Sequence, residues 1–92
     1  MPRIADSIQR KIGDALAPSR LEIIDESHRH AGHSGAGPDG ETHFRVEIVS
    51  KAFAGQSRVA RQRRVYEILT EELKGSVHAL SLQTLTPEEE AA

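Results

Sequence analysis

The 92-residue sequence contains no cysteine and no tryptophan, and only one tyrosine and two phenylalanines. Without thiols the chain forms no disulfide, no Cys-ligated zinc site and no thiol nucleophile, and it holds no iron–sulfur cluster by thiolates of its own. With so few aromatic side chains, its core must be aliphatic. Long apolar runs are also missing: charges interrupt every hydrophobic stretch well short of the roughly 18–20 residues that a membrane span needs. A soluble protein with no membrane partner is therefore expected. The start, Met1-Pro2-Arg3-Ile4-Ala5-Asp6, lacks the apolar segment of a secretory leader, so the expected compartment is the cytoplasm. An excess of positive charge is absent as well. Twelve Lys and Arg stand against fourteen Asp and Glu, a net charge of −2, so contact with nucleic acid would need a local basic patch.

What is present suits one small domain over residues 1–92, with 37 % apolar and 28 % charged residues. Ile4, Ile8 and Ile12 recur every fourth residue with Ala5, Ala15 and Leu16 beside them, which predicts an amphipathic helix with Pro2 in its first turn and Pro18 at its end. Leu21 to Ser27 reads as a first strand. Thr42 to Ser50 reads as a second, with Phe44, Val46 and Ile48 on one face, and the two are expected to pair. Between them Arg29 to Glu41 holds four of the seven glycines in thirteen residues, a loop expected to be mobile when the chain is free. Ser57 can cap a helix running to about Leu73, with Val59, Tyr66, Leu69 and Leu73 as its apolar stripe and Gly75 as its stop. Val77 to Leu85 predicts a third strand, and the tail from Thr86-Pro87 to residue 92 reads as one capped turn or as coil. Helix, strand, strand, helix, strand is the order of an α+β domain with one small sheet and its helices on one face.

Two groups of residues could carry chemistry. His28, His30 and His33 crowd six positions at the mouth of the loop, where imidazoles either ligate a transition metal or simply stay hydrated. His78, at the start of the last strand and on its Leu80 and Leu82 face, is either a core histidine, the simpler reading of the pattern, or a ligand held by a rigid element. Arg58, Arg61, Arg63 and Arg64 form the basic patch, read as a solvated helix flank or as a seat for phosphates. The serines at 27, 50 and 57 lack the spacing of a nucleophile with its base, so no enzyme and no small-molecule substrate are expected. Gly32-His33-Ser34-Gly35 matches the GxxG of KH domains, but it lies between two strands rather than two helices.

Glu41-Thr42-His43-Phe44-Arg45-Val46, Ile48-Val49-Ser50, Phe53-x-Gly55-x-Ser57-Arg58-Val59, Arg63-x-Val65-Tyr66, Glu71-Glu72-Leu73, Val77-His78-Ala79-Leu80 and Thr86-Pro87 together resemble the BolA family, in order and over nearly the whole chain. The resemblance implies a class II KH-like fold of α-β-β-α-α-β order, with a short helix near Gly55 to Arg61 before the long one. It implies pairing with a monothiol glutaredoxin around a bridging 2Fe-2S cluster, with a glutaredoxin cysteine and glutathione on one side and histidines of this chain on the other. The isolated chain is then expected to hold no cofactor. Rieske centres show that imidazole can replace thiolate at one iron. By the same resemblance His78 is one ligand, and the loop supplies the second as His30 or His33. The implied roles are cluster transfer, iron homeostasis or redox and stress signalling.

The sequence departs from the family in two places. Arg61-Gln62-Arg63 stands where the family often has Arg-His-Arg, and only Gly55 lies between the expected helices, against KH-type RNA binding. Some family members are described as regulators of transcription or morphology. A DNA-binding regulator using Arg58, Arg61, Arg63 and Arg64 is therefore the alternative.

Overall fold

The computed structural model describes residues 4–26, 43–75 and 77–92. His28, His30 and His33, the glycine-rich segment and Pro2 lie outside the described residues. Helix α1 (Ile4–Leu16) buries Ile8, Ile12 and Leu16, the fourfold spacing that aligns side chains on one face. It stops before Pro18 with Ala17 at φ 44, whose N–H donates to the Gly13 carbonyl at 3.1 Å. That left-handed position favours glycine, so an alanine there carries strain.

Strands β1 (Arg20–Asp25), β2 (His43–Val49) and β3 (Ala79–Leu85) form one sheet in that order. β1 pairs antiparallel with β2, as expected, and β3 joins the other edge of β2 in parallel. The register sets Leu21 beside Ile48 and Ile23 beside Val46, then Leu80 beside Phe44 and Leu82 beside Val46. These residues therefore share the inner face. Ile8, Ile12, Leu16, Phe53, Val65, Leu69 and Val77 pack on that face in one continuous cluster. Both main helices thus cover the same side of the sheet, the two-layer α+β architecture that the pattern predicts. The outer face is ionic, with Arg20 3.2 Å from Glu22 and 3.3 Å from Glu47, and Arg45 3.1 Å from Glu47. Among the described residues no helix is long and apolar enough to cross a membrane.

Ser50 joins these layers. Its buried Oγ–H donates to the Leu16 carbonyl at 2.6 Å, the same oxygen accepts from Ala52 N–H at 3.1 Å, and its own N–H donates to Leu85. It thereby caps a single 3-10 turn, Lys51–Phe53.

The structure corrects three details of the central region. The α-β-β-α-α-β order holds, but the first of the two central helices is not a short one near Gly55 to Arg61: Gly55 turns the chain at φ 77, and Ser57 caps α2 (Arg58–Ile68) directly by accepting from Ala60 N–H at 3.1 Å. The helix expected to run on to Leu73 breaks at Leu69, where Thr70 Oγ1–H bonds back to the Tyr66 and Glu67 carbonyls, and α3 (Thr70–Lys74) follows. The stripe is also rotated. Val59 and Tyr66 are 59 % and 40 % exposed, whereas Arg61, Val65 and Leu69 point inward at a spacing of four. The expected stripe treated Leu69 and Leu73 as parts of one continuous helix, and it excluded a charged residue from the interior. Lys11 Nζ, 2.9 Å from Glu72, ties α1 to α3. The tail is a capped helix, α4 (Pro87–Ala91).

Candidate functional site

β2 and β3 run parallel, so both begin at the same edge of the sheet. His43 opens β2 beside Ala79, and His78 immediately precedes Ala79. Their ring centres are 6.4 Å apart with planes tilted by 45°. His78 is exposed and His43 partly buried. The core-histidine reading of His78 is thus overturned: Val77 is the buried residue that plugs this end, and regular pairing starts only at Ala79. Among the described residues no group of three or more ligating side chains converges on a metal position.

A pair of imidazoles at the start of rigid strands suits a borderline transition metal or an iron whose remaining ligands come from elsewhere, because neutral nitrogen donors bind such ions without adding charge. His78 thus has the chemistry of one histidine ligand of a cluster, while His30 and His33 lie outside the described residues. His43 was not singled out from the sequence. The signal that would have found it is topological, namely that two parallel strands present their first residues side by side.

The arginine group divides. Arg58 and Arg63 are exposed, and Arg64 donates to the Ala52 carbonyl at 3.5 Å. Arg63 and Arg64 line a shallow groove of about 520 Å³ with Gln56, Ala60 and Glu67. Arg61 belongs to the interior instead. It is 7 % exposed, its Nε–H donates to the Gln56 carbonyl at 2.9 Å, and one terminal nitrogen donates to the Thr84 carbonyl at 3.0 Å and to Glu89 at 2.7 Å. Its guanidinium carbon lies 5.8 Å from the centre of the Phe53 ring. Glu89 completes a capping box with Thr86, accepting from Thr86 N–H at 2.8 Å while its own N–H donates to Thr86 Oγ1 at 3.2 Å. The Arg61 hydrogen bond, and next the Thr86 N–H, hold the Glu89 carboxyl down at about 2. Arg61 thus fastens the turn before α2 to the end of β3 and to α4.

A family model described as "BolA-like protein" matches residues 12–89. The chain is 47 % identical over 87 residues to Protein BOLA1, chloroplastic, of Arabidopsis thaliana, an alignment covering 92 % of this chain and 54 % of that protein. It is 42 % identical over 86 residues to the Escherichia coli protein named DNA-binding transcriptional regulator BolA, covering 94 % of this chain and 78 % of that one. The solved structure of BolA1 from Arabidopsis thaliana superposes with a TM-score of 0.87 at 45 % identity, covering 97 % of each chain. The chain thus spans about half the length of the plant relative that it matches.

Proposed function

The chain belongs to the BolA-like protein family, and from that premise we propose that it is a non-enzymatic iron–sulfur adaptor that binds a monothiol glutaredoxin in the cytoplasm. In this reading His78 and a loop histidine, His30 or His33, co-ligate a bridging 2Fe-2S cluster whose other ligands are a glutaredoxin cysteine and glutathione. The observation that carries it is the exposed imidazole of His78 immediately before β3, in a chain with no cysteine. Such a site completes a cluster only with a partner's thiolates. The cluster supplies electron transfer or is itself the cargo, and neutral imidazoles make it less anionic and easier to reduce or release. On the protein's side, β3 fixes one donor while the chain between β1 and β2 brings the other.

The test mixes the protein with a cluster-loaded monothiol glutaredoxin and follows the visible spectrum. A shift to a Rieske-like spectrum is expected, and His78→Ala should abolish it or shorten the cluster's lifetime at least tenfold. His30→Ala or His33→Ala alone should do less than the double replacement. An unchanged spectrum and lifetime in His78→Ala would remove the ligand assignment.

The name of the Escherichia coli relative favours a second reading, a DNA-binding regulator that seats phosphates on the arginine helix. Arg58, Arg63 and Arg64 would carry it, with Arg61 holding the helix in place. Three phosphate contacts give a log–log salt slope of about −3. Binding that is indifferent to salt would rule it out.

A further inference from the structure

The His43–His78 pair offers more than one cluster ligand. We propose that these two side chains form a two-imidazole site for a single divalent first-row cation of the zinc type, formed by the isolated chain without its loop histidines and without a partner protein.

Both donors come from the same edge of neighbouring parallel strands, whose axes are about 4.8 Å apart, and His43 and His78 are offset by one residue in register. Strand pairing therefore brings the two backbones together, and the one-residue offset leaves the side-chain torsions to aim both rings at one point. With a metal–nitrogen bond of about 2.0–2.1 Å, each ring centre sits roughly 3.2 Å from the metal, so two imidazoles on a tetrahedral ion have centres roughly 5 Å apart. The observed 6.4 Å exceeds that by little more than an ångström. Rotation of the exposed His78 side chain closes a gap of that size, whereas a separation near 10 Å would have required the strands to move. Among the described residues no third ligating side chain converges there, so His43 and His78 are the donors that these residues supply.

Zinc ion alone is the probe, titrated into the full chain and followed by calorimetry and by histidine-ring ¹H–¹⁵N spectra. One equivalent should bind, with the His43 and His78 ring signals moving in parallel and saturating together. H43Q and H78Q should each weaken binding at least tenfold with unchanged amide spectra. The triple variant His28→Gln, His30→Gln, His33→Gln should keep the affinity within twofold. The proposal is overturned if H43Q binds zinc as the parent does, if the triple variant abolishes binding, or if millimolar zinc produces no saturable shift. No glutaredoxin enters this assay, so its failure is separate from failure of the adaptor reading.

Discussion

β3 carries a polar site at each end, and the two are built on opposite plans. At its C-terminal end Arg61 is buried, and the Gln56 and Thr84 carbonyls together with the Glu89 carboxylate, all from the same chain, take its donors. At its N-terminal end His78 stands exposed with His43, partly buried, beside it. Burial with several internal partners makes a charged side chain part of the framework, because removing it strands those partners. Exposure leaves the His78 imidazole in contact with solvent. One strand therefore has a buried, hydrogen-bonded arginine at one end and an exposed imidazole at the other.

The contrast breaks most directly at Arg61. Arg61→Ala should lower the unfolding free energy by about 2–3 kcal/mol, since it leaves the buried Thr84 carbonyl without its donor and uncovers Phe53. For a domain of this size that is a fall in Tm of roughly 10–20 °C. His78→Ala should change stability by less than about 0.5 kcal/mol while removing metal ligation. Equal losses in thermal melts of the two variants would refute the division.

The same division runs across α2. Val65→Ala, at the inward position next to Arg61, should cost about 2 kcal/mol, whereas Val59→Ala on the exposed flank should stay within about 0.5 kcal/mol. Denaturant midpoints measure both, and a larger loss at Val59 would restore the stripe that the sequence predicts. Away from either site, Ala17→Gly should stabilise by about 0.5–1 kcal/mol, because Ala17 holds φ 44. No gain in Tm would show that the turn carries no strain.

The smallest effect sharpens the comparison at the buried arginine. The Glu89 carboxyl is held at about 2 against its ordinary 4.5. Its contribution is therefore complete above about pH 4.5 and is lost as the pH falls toward 2. Glu89→Gln should flatten that part of the stability–pH curve and lower stability above about pH 4.5 by the amount that the parent loses on acidification, a small amount for a carboxylate that solvent partly screens. An identical acid limb in parent and variant would show that Arg61 holds α4 without that charge.

Local chemistry in the sequence determined a good deal by itself. The fourfold isoleucine spacing made α1, the alternation of Phe44, Val46 and Ile48 made the inner face of β2, and Ser57 and Thr86 set two helix starts with their own hydroxyls. Each is a relation among residues only a few positions apart, where period and capping are readable without a fold. The ligand role of His78 came from the family resemblance alone, since its place in the strand pattern read as a core histidine. Only tertiary structure decided the roles of Arg61 and His43. Arg61 can lie inside because its partners come from residues 5, 23 and 28 positions away, and no helical period encodes partners that distant. His43 reaches His78 only because β3 docks parallel to β2 across an intervening helical segment. Strand order and register set that contact, and they follow from how the layers pack, not from any local run of residues.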